Sequence, residues 1–278
     1  MPSLHDAGTA FAPSGRSRVM VRLSTILVAA SLACLAPRPA LAWGRDGHRI
    51  IAKIAEAHLT AETAAQVRAI LAYRPGDTME NVASWADTAR NAETAGWHFV
   101  DIPSALHCHY VSQLECRGGD CLVGALRREE AILANPRADA GQRYLALKYV
   151  IHLAGGDSSQ PLHNARFDDG GNTYRITFNG HRTNLHHLWD TGLIDYYGAW
   201  RRPYVQRLVE LSFTPGINDG DTNPIDWVER SCRITEVPGF YPPADVPDSY
   251  ARQWESTVDE QLVVGGLHLA DTLNRLLP

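Results

Sequence analysis

The sequence predicts an all-α, single-domain fold with one short β-hairpin. Helical patterns of apolar residues recur along most of the chain, and the breaks between them are short and polar. No long Gly/Ser linker divides the sequence, and only one segment alternates apolar and polar residues as a half-buried strand does. With 278 residues, of which 45% are hydrophobic and 21% charged, the chain can bury a sizeable core.

The N-terminal residues have the layout of a secretory signal peptide. An apolar run at 23–35 follows three arginines and precedes the small-residue sequence Ala40-Leu41-Ala42. The run is too short for a membrane anchor. We therefore expect cleavage after Ala42, which leaves residues 43–278 as the mature domain in the periplasm or outside the cell. Met20 is an alternative start, because the residues before it are longer than a usual n-region.

Helices are predicted in order along the mature chain. The first contains Ile50 on its apolar face, and Thr60 is placed to cap the second, which runs to about residue 71. Further helices are predicted over residues 81–90, 123–134, 140–157, 184–197, 203–213, 224–234 and 248–277. The hairpin is predicted at 173–183, where Asn179-Gly180 separates two short alternating runs.

The charge and the cysteines argue against two classes of function. The formal net charge is −5, and loss of residues 1–42, with four arginines and one aspartate, makes it −8. Such a chain does not hold nucleic acid by bulk positive charge. An exported chain with an even number of cysteines is expected to form disulfides rather than to use a thiol nucleophile, although the spacing leaves the pairing open. The mature cysteines are Cys108, Cys116, Cys121 and Cys232.

Histidines and aspartates recur on the predicted helices among apolar neighbours. His186 and Asp190 are four residues apart, so both can face one metal ion from the same side of a helix. Alone, such a pair is more often a solvated surface pair. The complete set contains five histidines and three carboxylates: His48, His98, His152, His163, His186, Asp87, Asp157 and Asp190. Since such residues are rarely buried without a partner, one polynuclear metal site explains them together.

Several short motifs around these residues resemble the S1/P1 nuclease family. They are Trp43-Gly44 with Gly47-His48, Trp85-Ala86-Asp87, His98-Phe99-Val100-Asp101, Gln160-Pro161-Leu162-His163, and Asn184-Leu185-His186 with Trp189-Asp190. The resemblance covers nearly the whole mature chain. It implies a secreted helical nuclease with three zinc ions in one cleft, which cleaves single-stranded DNA and RNA and removes 3′-phosphates from nucleotides. It implies no stable protein partner.

The resemblance also implies a role for individual residues. One zinc falls to Asp87, His98, His152 and Asp157, a second to His163, His186 and Asp190, and a third to His48, Asp157 and the amine and carbonyl of Trp43. The α-amine of a cleaved chain binds metal near neutral pH, whereas the amide nitrogen of a precursor does not, so signal cleavage would activate the enzyme.

Further roles implied by the resemblance concern the substrate and the disulfides. Phe99 would stack on an unpaired base, Asp101 would recognise that base, and Arg90 would hold the scissile phosphate. Catalysis would then depend on Asp87, Asp157 and Arg90. The implied disulfides join Cys108 to Cys232 and Cys116 to Cys121.

One spacing departs from the family's pattern. The family has three residues between the histidine and the shared aspartate, but four separate His152 from Asp157 here. On a regular helix the extra residue turns Asp157 by about 100°. A π-bulge accommodates one extra residue, and Gly155 and Gly156 offer little steric resistance. We therefore predict a π-bulge or a broken helix end at 154–156, with Asp157 still bridging two zinc ions.

Two alternative functions remain. A zinc phospholipase C-like phosphodiesterase would share the fold and the N-terminal tryptophan, although the pair Phe99 and Asp101 argues for a nucleic-acid substrate. An exported zinc-binding protein without catalysis is the other, but storage proteins favour His- or Cys-rich repeats, which are absent from the sequence. A serine hydrolase is disfavoured, because the sequence has no Gly-x-Ser-x-Gly motif.

Overall fold

The structure, a computed structural model, describes residues 43–165, 168–198, 202–217 and 220–278, most of which lie in helices. The α-helices are α1 (Arg45–His58), α2 (Ala61–Leu71), α3 (Met79–Val82), α4 (Trp85–Ala89), α5 (Ser112–Glu115), α6 (Leu122–Ala134), α7 (Ala140–Val150), α8 (Leu185–His187), α9 (Leu193–Tyr197), α10 (Arg202–Leu211), α11 (Pro224–Ile234) and α12 (Asp248–Leu276). π-Helical turns span Ile151–Gly156 and Leu188–Gly192. The mostly helical fold class is confirmed, while the expected signal peptide lies outside the described residues.

Short 3-10 helices connect several of these elements. They span Ala95–His98, Ser104–Leu106, Arg117–Gly119, Asp157–Ser159 and Pro161–His163. Three of them contain or border residues singled out in the sequence, since His98, Asp157 and His163 each lie in one. The chain therefore presents these side chains from irregular segments rather than from long helices.

The hairpin forms where the sequence predicts it. Strand β1 (Arg175–Phe178) pairs antiparallel with β2 (His181–Asn184), and both turn residues, Asn179 and Gly180, have positive φ. This is the backbone conformation that an Asn-Gly hairpin turn requires. A third strand, β3 (Asp245–Val246), pairs parallel with β1 and gives the order β2-β1-β3. The sequence did not indicate β3, because a strand of two residues has no periodicity.

The long helix α12 packs closely against α1 and the first π-helical turn. A Cβ on Gly265 would overlap the carbonyl oxygen of Gly155, and a Cβ on Gly266 would lie 2.5 Å from Cγ2 of Ile54. Both glycines therefore permit a backbone approach that any larger residue would prevent. Ile51 of α1 is also buried at this junction. The core of the fold thus lies directly behind the segment that carries His152 and Asp157.

The single helix predicted over 81–90 is wrong, because α3 and α4 are separated at Ser84. The carbonyl oxygen of Ala83 accepts a hydrogen bond of 2.8 Å from Nδ1 of His152. This bond, made to a side chain 69 residues away, stabilises the break. The break in turn places Asp87, on α4, beside His152.

Two disulfides, Cys108–Cys232 and Cys116–Cys121, are present as the resemblance implied. They lie in a second cluster of buried apolar side chains, which includes Val100. The Cys108–Cys232 bond ties the loop after His98 to α11. Among the described helices, none combines the length and apolar character needed to span a bilayer.

The two disulfides are predicted to contribute unequally to stability. Replacement of Cys108 and Cys232 by serine removes their disulfide and opens a loop whose ends have a sequence separation of 124. The chain-entropy relation then gives a loss of about 5 kcal/mol in the free energy of unfolding. Serine at Cys116 and Cys121, which are separated by only 5 residues, should cost about 2 kcal/mol by the same relation. Denaturant unfolding at fixed zinc concentration measures both losses, and equal losses would contradict this account.

Candidate metal centre

The π-helical turn Ile151–Gly156 absorbs the extra residue between His152 and Asp157. A regular α-helix would turn Asp157 away from His152, whereas the wider turn keeps both on one side. Asp157 Oδ2 lies 3.2 Å from Nε2 of His152 and 3.1 Å from Nδ1 of His98. The predicted bulge is therefore confirmed, and Asp157 points into the histidine cluster.

Gly156 provides the space in which His48 lies. A Cβ on Gly156 would overlap the imidazole ring of His48. That ring stacks on His152 with centroids 4.1 Å apart and planes within 9°. Any side chain at position 156 would therefore displace His48 from the cluster.

Two overlapping groups of side chains surround Asp157. One contains His48, Asp87 and His152, and the other contains His98, His152 and Asp157, with the ligand atoms of each group within 4.8 Å of one another. His48 Nε2 is 3.9 Å from Oδ2 of Asp87 and 3.9 Å from Oδ1 of Asp157. His152 belongs to both groups, so together they form one continuous site.

A third group, His163, His186 and Asp190, lies beside the first two. Nε2 of His186 is 3.1 Å from Nε2 of His163 and 3.3 Å from Oδ2 of Asp190. Asp157 Oδ1, 3.6 Å from Nδ1 of His163, links this group to the others. The structure thus brings together all eight residues that the sequence singled out.

Backbone carbonyl oxygens orient three of the histidines through hydrogen bonds to Nδ1. Nδ1 of His152 faces the carbonyl oxygen of Ala83, Nδ1 of His163 faces that of His98 at 2.6 Å, and Nδ1 of His186 faces that of Gly170 at 2.6 Å. A carbonyl oxygen only accepts, so each Nδ1 carries the proton. In the neutral form of each ring, Nε2 then carries the lone pair that a metal binds.

The side chain of Gln160 orients Asp190 by a hydrogen bond, a role that the sequence did not reveal. Its side-chain NH₂ donates to Oδ1 of Asp190, and its carbonyl oxygen accepts from the backbone N–H of Leu162 at 2.6 Å. Gln160 is fully buried. Oδ2 of Asp190 therefore stays directed at His186. The only signal in the sequence was the place of Gln160 in the motif that ends at His163.

Burial and neighbouring charges shift the pKa values in the cluster in different directions: burial lowers the pKa of His152, but Asp157 and Asp87 hold it well above its usual value. Burial, followed by the nearby His152, lowers the pKa of His48 to about 3. Burial, followed by His163, lowers the pKa of His186 to about 3. Both rings are therefore neutral at physiological pH and keep the lone pairs that a metal binds. Burial also raises the pKa of Asp190 well above its usual value.

Buried polar atoms in the cluster lack hydrogen-bond partners among the described residues. They are both ring nitrogens of His48, Nε2 of His98, and one oxygen each of Asp87, Asp157 and Asp190. Each such atom costs about 1–3 kcal/mol of desolvation. Imidazole nitrogens and carboxylate oxygens are also the ligands that zinc prefers. The residues present therefore fit metal ions, and a bound cation would remove the cost.

Trp43 fixes the start of the mature domain against the cluster. Its indole is fully buried, and Nε1 donates to Oγ of Ser159 at 2.9 Å. The N–H of Gly44 donates to the carbonyl oxygen of Asp190 at 2.6 Å. The first residues after the expected cleavage point thus lie beside residues of the metal centre.

Three residues expected to contact substrate lie near the cluster but outside it. The guanidinium carbon of Arg90 is 5.8 Å from the ring centroid of Phe99, and Nη2 of Arg90 donates to the carbonyl of Ala95 at 2.9 Å. Phe99 directly follows His98, Asp101 is three residues after it, and both are partly exposed. They therefore remain accessible to a substrate, whereas the clustered side chains are buried.

Exchange of Gly156 for alanine is predicted to weaken metal binding, because the new Cβ displaces His48. We expect the zinc affinity to fall at least about tenfold, as for other changes that disturb a ligand's support. Gly155→Ala is the matched control, since its Cβ would meet Cγ2 of Ile51 at 2.5 Å instead. It should lower stability yet leave zinc affinity nearly unchanged. Competition with a chromophoric chelator measures both, and equal zinc affinity in the two variants would contradict the role of Gly156.

Comparison with known proteins gives the family. The S1/P1 Nuclease family model matches residues 43–278. Nuclease P1 of Penicillium citrinum is 24% identical over 265 residues, which cover 84% of this chain and 97% of that protein. Endonuclease 4 of Arabidopsis thaliana is 28% identical over 274 residues, with coverage of 85% and 90%. Nuclease S1 of Aspergillus oryzae is 32% identical over 157 residues, or 54% of each chain. The chain belongs to the S1/P1 nuclease family.

Proposed function

We propose that this protein is an exported zinc-dependent nuclease that cleaves single-stranded DNA and RNA and also removes 3′-phosphates from nucleotides. Nucleases of the S1/P1 family are phosphodiester hydrolases, and zinc dependence is typical of them. The observation that carries the proposal is the continuous cluster of five histidines and three aspartates around Asp157. The match to nucleases favours this function over a phospholipase or a zinc-storage protein.

We assign three zinc ions to the cluster. One would be held by Asp87, His98, His152 and Asp157, a second by His163, His186 and Asp190, and a third by His48, Asp157 and the terminal amine and carbonyl of Trp43. The two oxygens of Asp157 support its shared role, since Oδ2 faces His98 and His152 while Oδ1 faces His48 and His163. The burial of Trp43 against Ser159 supports the third assignment.

Bound zinc ions would act as Lewis acids on the phosphate and lower the pKa of the attacking water. The protein's own residues prepare the site for that chemistry. The side chain of Asp157 is fully buried and therefore shielded from bulk water, and both of its oxygens face histidines. Arg90 would hold the scissile phosphate with the nitrogens that the bond to Ala95 leaves free. Asp87 would act as a carboxylate ligand of the metal ions beside the reacting phosphate.

The cluster also explains how an acidic chain attracts a polyanion. Three divalent ions bring about six positive charges into one cleft before their ligands are counted. Phe99 supplies a partly exposed aromatic ring on which an unpaired base can stack, and such stacking is worth roughly 1–3 kcal/mol per base. Asp101, two residues further on, would accept hydrogen bonds from that base. A duplex hides the faces of its bases, so single strands are favoured.

Export is proposed from two observations. The four cysteines of the mature domain form two disulfides, as expected for an oxidising compartment. The apolar run before Ala42 has the layout of a signal peptide. We place the protein in the periplasm or outside the cell, with cleavage directly before Trp43.

Hydrolysis of a single-stranded oligonucleotide by the purified mature chain tests the function. We expect 5′-phosphorylated products, slower cleavage of the same sequence as a duplex, and release of phosphate from a 3′-nucleotide. Chelation should abolish all three activities, and zinc should restore them. Phosphatidylcholine, assayed in parallel, should remain intact. Metal binding without hydrolysis of any phosphodiester would contradict the proposal.

A free α-amine on Trp43 is predicted to be necessary for full metal loading. Addition of one alanine before Trp43 replaces the amine by an amide, so about one zinc ion per chain should be lost, together with most of the activity. Trp43→Phe is the matched control, because it retains the amine but loses the hydrogen bond to Ser159. It should keep its zinc content. Elemental analysis measures this, and full zinc content in the extended chain would remove Trp43 from the site.

A further inference from the structure

Two adjacent segments lead from the metal centre to a separate cavity. The backbone N–H of Val100 donates to the carbonyl oxygen of His163 at 2.8 Å, and Ile102 pairs with Ala165 in a parallel β-bridge. The two segments therefore run side by side, one from His98 and the other from His163. Both end at a cavity of about 240 Å³ that Ile102 and Ala165 line. Phe99, Asp101 and Pro103 alternate with the buried Val100 and Ile102 and are partly exposed, so the accessible side of this segment continues from His98 to the cavity.

The chemistry of the cavity favours a flat, uncharged group. Its walls include Ile102, Pro103 and the Cys108–Cys232 disulfide, while Tyr241 supplies an aromatic ring. Among the described residues that line it, none is lysine, arginine or histidine, and Glu236 is an anion. An exposed histidine, His107, lies 3.7 Å from Glu236. A phosphate would meet the Glu236 carboxylate and apolar walls, so the cavity suits a base and not the backbone of a nucleic acid.

We propose that this cavity is a base subsite for a nucleotide further along the same single strand than the one at Phe99. The inference rests on the proposed nuclease function and extends it from the cleaved linkage to the length of strand that the enzyme recognises. The flat faces of a base are apolar enough to pack against the apolar walls of the cavity. Stacking on aromatic residues binds single strands with little dependence on sequence.

A disulfide and an uncommon backbone conformation constrain the wall of the subsite. The Cys108–Cys232 disulfide forms part of its wall and joins the loop at Cys108 to α11. His107 and Cys108 both have positive φ, at 46° and 58°, so the disulfide and its surroundings hold this loop in a conformation that non-glycine residues rarely adopt. A preformed cavity loses less conformational entropy when it binds a ligand than a flexible one does.

Glu236 gives the subsite a base preference. A carboxylate accepts hydrogen bonds from exocyclic amino groups, which cytosine and adenine carry and thymine does not. The enzyme should therefore bind oligo-dC more tightly than oligo-dT at this position. A mononucleotide whose base stacks on Phe99 would leave this subsite empty, so the preference is expected only for oligonucleotides.

Obstruction of the cavity tests the subsite. Ser104 is an exposed residue at the cavity, so Ser104→Trp obstructs it without disturbing the core. Ser112→Trp, at an exposed serine outside the cavity lining, is the matched control. For a single-stranded hexanucleotide we expect Ser104→Trp to raise KM at least about fivefold with little change in kcat. KM for a 3′-mononucleotide should not change in either variant.

A second variant tests the base preference with the cavity intact. Glu236→Gln should reduce the ratio of kcat/KM for hexa-dC over hexa-dT while leaving mononucleotide hydrolysis unchanged. An unchanged hexanucleotide KM in Ser104→Trp, or an equal rise for the mononucleotide, would overturn the subsite. If the native chain hydrolyses neither substrate, the nuclease function itself fails. Hydrolysis of both with unaltered dependence on length refutes the subsite alone.

Discussion

The burial of Asp157 among four histidines is the constraint on which the rest of the structure depends. Its side chain is fully buried, and its two oxygens lie within 3.9 Å of ring nitrogens from four separate segments of the chain. A buried carboxylate is costly unless cations or hydrogen bonds compensate it. Neighbouring histidines lower the pKa of Asp157 well below its usual value, although burial alone would raise it. Bound metal ions would complete this compensation, because several ligand atoms have no hydrogen-bond partner among the described residues.

The irregular parts of the fold serve this one requirement. The π-helical turn at Ile151–Gly156 directs Asp157 inwards, and the missing side chain of Gly156 admits His48. The break at Ser84 places Asp87 beside His152. Departures from local regularity concentrate at functional sites when the rest of the fold supports them. Here the support comes from the close packing of α12 behind the π-helical turn.

Features encoded by neighbouring residues could be predicted from the sequence. Thr60 caps α2, and Asn179-Gly180 forms the hairpin turn, because each depends on chemistry within a few residues. The eight clustered side chains were found because their residue types and apolar neighbours point to metal. The break after Ala83 and the role of Gln160 were not found, since both depend on hydrogen bonds between distant segments. The extra residue before Asp157 could be predicted in part. The spacing shows that a residue is inserted, whereas the π-helical turn that accommodates it also depends on the packing of α12.

Anomalous diffraction at the zinc edge, from crystals of the processed protein, tests the central claim most directly. Three peaks are predicted, two of them sharing Asp157 as a ligand and the third between His163, His186 and Asp190. Each should lie about 2.0–2.2 Å from its nitrogen and oxygen ligands. One of the two peaks at Asp157 should also contact the amine of Trp43. A map without peaks in the cluster, or with Asp157 bound to no ion, would contradict the account.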